Sequence, residues 1–468
     1  MKSNAFRNVL SVSPVLHRSL VIKSVLTPVV AMLICVCAGT AQADPSITTY
    51  TDAEVSASTL NSNCDASRLF VNVLGQVADY NCTVFDGTAL NIGNLNSYNT
   101  LTIQNGADLV SGVSAVGYGD RYSSKFSNYN SVVVTGAGST WTAGSGSNSG
   151  ISIGYSGNNN SLAISEGGTV NSGLLILGYF NSGSNNRLTV SGSGSTLNVV
   201  GTSNYDPDII VGRMGTGNAV TVSGGAHVNS QRVKVGDYGS SSNITLTGSG
   251  TAWRAYCVAT TTYSDVWVGS YASSNSLHIL DGASFTGGST MIGTHTGYGN
   301  NSIHVSGAGS LYHSIGTINL GASDSTGNTL LIGNGGLVVA DGYFSSCLVV
   351  GSGTGNVVEL AEGFLALKGD KSGDIATLLS AEQILVWDGS AYVTGGSLTV
   401  SYCDEAGEAA TALGSYSTYY SDLLATLDGG YTIVTGGMAV PEPSTYALLG
   451  GLGALGFAMI RRRRAAKA

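Results

Sequence analysis

The chain has 468 residues, 43% of them hydrophobic and only 10% charged, with 67 glycines. That balance excludes a disordered chain and a helical bundle, and it points to a folded, turn-rich protein built from strands. Residues 44–441 carry 10 Lys+Arg against 27 Asp+Glu, a net charge of −17. No nucleic-acid partner is expected of such a body, because a binder must neutralise phosphates with a basic surface.

Residues 1–43 contain Lys2, Arg7, Arg18 and Lys23 and no acid. An apolar run at 25–37 and the small residues Ala41 and Ala43 follow in the order of a secretory signal, with cleavage before Asp44. Residues 44–83 are expected to form an N-terminal cap. Export makes disulfides possible, and Cys64–Cys82 would close a short loop in that cap. At least one of the remaining thiols, Cys257, Cys347 and Cys403, stays unpaired. No Cys-x-x-Cys is present, and no metal or cofactor is expected.

Residues 84–362 repeat one motif. An apolar–x–apolar triplet recurs ten times, from Leu101-Thr102-Ile103 to Val358-Glu359-Leu360, at intervals of 24 to 33 residues. Asn stands two residues before nine of the triplets (Asn99, Asn130, Asn160, Asn186, Asn218, Asn275, Asn301, Asn328 and Asn356), and Ser242 holds that slot in the sixth. After each triplet come a Gly turn and a segment such as "STW", "STL" or "ASF". A second short strand then ends in an apolar–Gly pair such as Ile153-Gly154 or Val235-Gly236. A lone coil cannot bury two or three aliphatics, whereas stacked coils bury a continuous column. Gly supplies the positive φ of the corners, and Asn at a fixed corner can bond its counterpart in the next coil. The period is too short for a propeller. The chain is therefore expected to be all-β: a parallel β-helix, or β-solenoid, with a small C-terminal α+β cap over 363–437 and one C-terminal transmembrane helix.

"VVVTGAGSTWTAG", "LTVSGSGSTLNV" and "ITLTGSGTAW" resemble the autotransporter-associated β-strand repeats of bacterial surface proteins. The resemblance implies a β-helical passenger-type body. There is no room after residue 360 for the membrane barrel of a true autotransporter.

Two coils carry longer loops at the same corner, "SNYDPD" and "YCVATTTYSD". Tyr205, Tyr256 and Tyr263 could stack on sugar rings, with Asp206, Asp208 and Asp265 as acceptors. The alternative to a structural role is a polysaccharide-binding or polysaccharide-degrading β-helix enzyme. Asp206 and Asp208 are the only tight carboxylate pair in the repeats, and glycosidases need two carboxyls flanking one bond. His278 and His304 share an outward slot in consecutive coils, a pair short of a metal site.

The end of the chain, 438–468, holds Val440-Pro441-Glu442-Pro443, an uncharged stretch at 444–460, and Arg461, Arg462, Arg463 and Arg464. The stretch would span about 25 Å as a helix, the short end for a bilayer, and the arginines would keep their end in the cytoplasm. These three elements in order resemble the PEP-CTERM sorting signal of Gram-negative bacteria. The resemblance implies a membrane-embedded exosortase that processes the chain near Pro-Glu-Pro, and delivery to the cell surface or an exopolysaccharide matrix. The expected protein is an exported structural or adhesive solenoid, anchored in the inner membrane as a precursor, and not an enzyme.

Overall fold

A computed structural model describes residues 46–50, 68–71 and 89–436, apart from 96, 120–125, 145–149, 201–208, 258–261, 343–345, 395 and 426–429. The chain winds as a parallel β-solenoid of about ten turns with three sheets running its length. The ten triplets form sheet 1, in strands such as Ser161–Ser165, Arg187–Ser191 and Ala219–Ser223. Their register is parallel and unshifted: Leu162 faces Leu188, which faces Val220. The apolar–Gly segments form sheet 3, as in Ile151–Ile153 and Leu175–Leu177.

Between these lies a strand that the two-strand reading of the repeat overlooks. Segments such as Thr140–Ala143, Thr169–Ser172 and Thr196–Val199 stack in parallel as sheet 2, so each coil has three strands rather than two. Its signature is faint because the strands are short and the second inward position is small. Ser111, Ala143, Ser172, Ser230 and Ser314 occupy that inward row. Smallness there has a cause. The buried indoles of Trp141 and Trp253 donate to the Ser111 and Ser230 hydroxyls at 3.0 and 2.9 Å, satisfying N–H groups that would otherwise be costly to bury.

Alternation fills the interior. In one coil Leu162, Ile164, Val170, Leu175 and Leu177 point inward and are fully buried. Each such side chain contributes roughly 1.5–3 kcal/mol of burial, obtained only when neighbouring coils close above and below. Trp253, Phe285 and Tyr312 form a buried aromatic file, with centroids 5.6 and 5.5 Å apart. The Tyr312 hydroxyl meets Thr290 Oγ1 at 2.6 Å, and burial pushes its pKa up.

The corner from sheet 3 to sheet 1 is fixed by an asparagine ladder. Asn99, Asn130, Asn160, Asn186 and Asn218 are fully buried, and each of the first four donates through Nδ2 to the Oδ1 of the next, at 2.7 to 3.2 Å. The same Oδ1 accepts the backbone N–H of the preceding ladder residue, as from Asn160 to Asn186 at 2.8 Å. The ladder resumes from Asn275 through Asn301 and Asn328 to Asn356. At the break, Ser242 Oγ is buried without a partner. The apolar–Gly pair now acquires its reason. Gly154, with φ +72°, lies against Asn186 so closely that a Cβ would overlap the amide, and Gly117, Gly236 and Gly269 meet Asn160, Asn275 and Asn301 in the same way. Asn and Gly, separate in sequence, are two halves of one corner.

Added strands cover part of the first coil, and a cap covers the last coils. Ser46–Tyr50 pairs antiparallel with Thr100–Gln104, and Arg68–Val71 pairs in parallel with Ala89–Asn94, the strand that contains the early Ile92-Gly93 pair. At the other end the stacking runs past residue 362: Gly363–Lys368 continues sheet 2 and Ile384–Trp387 continues sheet 1. Helix α1 (Ser372–Ser380) stands where the next sheet 3 strand would fall, with Ile375 buried and Leu378 and Leu379 packed on the core. Tyr431–Gly436 and Leu398–Cys403 then add antiparallel strands to sheet 2, which ends the parallel template and protects the edge. Helices α2 (Ala406–Leu413) and α3 (Ser421–Leu424) and the 3₁₀ segment Gly414–Tyr420 cover sheet 2 from outside. There the outward residues turn apolar, as Leu337, Val339, Phe364 and Ala366, and pack with Leu413, Tyr420 and Leu424. No described helix is long and apolar enough to cross a membrane, and the expected span 444–460 lies outside the described residues.

Candidate functional site

The long loops do leave from one corner, between sheets 2 and 3. Tyr205, Asp206 and Asp208 lie outside the described residues. The other loop is built around Arg254. Strand Ala252–Cys257 outruns its neighbours and is met by Thr262–Tyr263 in a short antiparallel ladder that pairs Tyr256 with Tyr263. Their rings meet edge to face at 5.3 Å. The exposed Arg254 guanidinium lies 4.9 and 5.4 Å from the two ring centroids and donates to the Tyr263 hydroxyl at 3.1 Å. This arrangement presents a fixed cation and two phenols, chemistry suited to hydrogen-bonding and stacking on a polar ring. Asp265 follows, half-buried. Burial raises its pKa against the Ser289 amide and the Arg232 charge, which lower it. Beside it on sheet 3, Lys234 Nζ sits 4.5 Å over the Trp267 ring and 2.9 Å from Asp237.

His278 and His304 are register neighbours on the outer face of sheet 1, with rings edge to face at 5.7 Å. His278 Nε2 lies 2.9 Å from Ser276 Oγ, and burial lowers its pKa, so it is neutral near pH 7. Among the described residues no group of three or more His, Cys, Asp and Glu is placed to hold a metal. Cys347 and Cys403 are buried free thiols, Cys257 is buried, and Cys64 and Cys82 lie outside the described residues.

Two features escape the sequence reading. His313 Nε2 lies 3.0 Å from Asp341 Oδ2, and the hydroxyl of Tyr431, in the cap, donates to Asp341 Oδ1 at 2.7 Å. Burial would raise the Asp341 pKa, but these hydrogen bonds and the charges of His313 and Lys368 hold it below the usual carboxylate range. The group fastens the cap to the last coils. The second feature is an aromatic edge along the asparagine corner. Tyr118, Tyr155 and Tyr179 stack at 4.9 and 4.8 Å, and the Arg213 guanidinium continues the file 4.2 Å from the Tyr179 ring. Tyr98 stacks on Tyr129 at 5.1 Å, and Tyr238 on Tyr271 at 5.0 Å. The tyrosines are scattered in sequence, at one or two places in most repeats. Only the coil brings them into stacks, although their confinement to the segment between the apolar–Gly pair and the ladder Asn is a signal the sequence carries.

Ala41, Ala43 and Asp44 of the expected signal cleavage lie outside the described residues, as do Val440, Pro441, Glu442, Pro443, Arg461, Arg462, Arg463 and Arg464. The tail is identified by comparison: residues 439–464 match the PEP-CTERM protein-sorting motif. No curated protein and no solved structure matches the chain. The match begins three residues after Gly436, the last residue of the cap strand, so the sorting motif follows directly on the closed end of the solenoid.

Proposed function

We propose that this protein is an exported structural or adhesive solenoid of the cell surface or extracellular matrix, delivered by an exosortase-type membrane protease acting on its C-terminal signal. The observation that carries this reading is the sorting motif at 439–464, placed immediately behind the capped C-terminal end of a β-solenoid. A sorting signal of this kind implies export and a transient membrane anchor. A stack of coils locked by buried ladders is a rigid rod, suited to spacing and display. The resemblance of the repeats to the autotransporter-associated β-strand class supports a surface role. In this reading the signal peptide is removed before Asp44, residues 444–460 halt in the inner membrane, and Arg461 to Arg464 hold the cytoplasmic side. The protein is not an enzyme in this proposal. A polysaccharide-degrading activity would have to come from the loop corner, and turnover of glycan by purified protein would reveal it.

The test is mass spectrometry of the C-terminal peptide of surface-extracted protein, from a host with and without its exosortase. The proposal expects loss of residues 450–468 only when the protease is present. Persistence of that peptide in surface material from the intact host would make the tail a permanent anchor and overturn the sorting step.

A further inference from the structure

We infer that the aromatic edge along the asparagine corner is a binding surface for an uncharged polysaccharide. This deepens the adhesive reading above by naming a ligand class. Five tyrosines of this edge expose unusually large areas: Tyr98 57%, Tyr129 51%, Tyr238 56%, Tyr271 37% and Tyr298 38%. Exposed aromatic patches of this extent on a soluble body mark interaction sites. They are held rigidly. The stacked ring planes of Tyr98 and Tyr129 are within 3° of parallel and those of Tyr238 and Tyr271 within 5°, and Tyr298 meets Tyr271 edge to face at 6.3 Å. Little rotamer entropy remains to be lost on binding.

The form of the edge selects a polymer. The exposed tyrosines form two clusters on this corner, Tyr98 with Tyr129 and Tyr238 with Tyr271 and Tyr298, each joining successive coils about 4.8 Å apart, so the surface follows the solenoid axis as an extended chain of repeating units would. Its chemistry selects an uncharged one. In the fully described corner segments that carry Tyr238, Tyr271 and Tyr298, residues 237–241, 270–274 and 294–300, the only formally charged side chain is Asp237, paired with Lys234. The body around it carries a net charge of −17, from 10 Lys+Arg against 27 Asp+Glu over residues 44–441, which repels polyanions. Between the rings run amides and hydroxyls fixed by their own rungs: Asn128 Oδ1 accepts from the Asn158 N–H at 2.7 Å, and Ser240 Oγ from the Ser273 N–H at 3.2 Å. Aromatic surface alternating with neutral donors and acceptors complements a sugar, which offers C–H faces and hydroxyl edges.

The experiment is affinity electrophoresis of the mature exported protein through gels containing hydroxyethylcellulose, galactomannan or dextran, with alginate as the anionic counterpart. Retardation by at least one neutral polymer and none by alginate is expected. The combined Tyr238→Ala, Tyr271→Ala and Tyr298→Ala variant should bind about tenfold more weakly or less, with an unchanged thermal midpoint. Thr221→Ala, on the outer face of sheet 1, should bind as the parent does. Tyr238→Phe with Tyr271→Phe should keep most of the affinity if ring surface dominates. Binding to none of the neutral polymers, stronger binding to alginate, or equal binding by the triple variant overturns the proposal. These results are distinct from a failure of sorting, because a correctly trimmed protein that binds no glycan refutes only the ligand.

Discussion

Replacing Asn186 with Ala removes one rung of the buried ladder, and the cost can be worked bond by bond. The Asn186 amide donates to Asn218 Oδ1 at 3.0 Å, and its oxygen accepts from Asn160 N at 2.8 Å and Asn160 Nδ2 at 3.2 Å. Two of the groups left behind keep a partner. Asn160 Nδ2 still reaches the Ser127 carbonyl at 3.0 Å, and Asn218 Oδ1 still accepts the Asn186 N–H at 2.9 Å. The backbone N–H of Asn160 loses its acceptor at a fully buried position. An orphaned buried donor costs roughly 1–3 kcal/mol and the lost secondary bonds about 1 kcal/mol more, so a loss of about 3 kcal/mol is expected. The reciprocal change is Ser242→Asn, which fills the break where a buried hydroxyl has no partner. It should gain about 1 kcal/mol. Urea denaturation of the mature protein followed by tryptophan fluorescence measures both, and amide exchange at Asn160 reads the orphaned group directly. The reasoning fails if Asn186→Ala lies within 0.5 kcal/mol of the parent, or if the Asn160 amide remains protected.

Gly154→Ala and Gly106→Ala separate strain from crowding, since both glycines have positive φ but only Gly154 faces a ladder Asn while Gly106 faces open space. Gly106→Ala should cost about 1–2 kcal/mol, and Gly154→Ala roughly 1–3 kcal/mol more, read from denaturation midpoints. Glu359, on the outer face of sheet 1, has its pKa raised by burial, so its ionisation opposes folding. Stability tied to it is present at low pH and is lost as the pH rises through its folded value. Glu359→Gln should therefore raise the thermal midpoint at pH 7 and lose that advantage in acid, and an equal gain at every pH would refute this account. Asp341 has the opposite sign, because its lowered pKa gives stability that is present above about pH 4 and is lost as the pH falls. Asp341→Asn should lower stability at pH 7 and flatten the acid limb, with the cap strand Tyr431–Gly436 the first to lose amide protection.

Much of the fold was legible in the sequence because its forces are local or strictly periodic. The apolar triplets dictate inward aliphatics at period two, and their ten-fold recurrence requires stacking, since no coil buries them alone. The Asn slot foretold the ladder, because a buried amide at a fixed corner has its counterpart as its natural partner. The tail was legible for a different reason: its basic end, apolar run and Pro-Glu-Pro act as linear signals. Tertiary structure decided the rest. Sheet 2 was hidden, since Ser at its second inward position looks polar until the indole of the next coil is placed above it. The requirement for Gly154 arises from Asn186, more than thirty residues on, and no local rule contains that contact. The Arg254–Tyr256–Tyr263 cluster needed the chain to turn back on itself, and the His313–Asp341–Tyr431 clasp joins three distant segments. The aromatic edge shows the division most plainly. The sequence supplies isolated tyrosines, and only the coil rise sets them about 5 Å apart in short stacks.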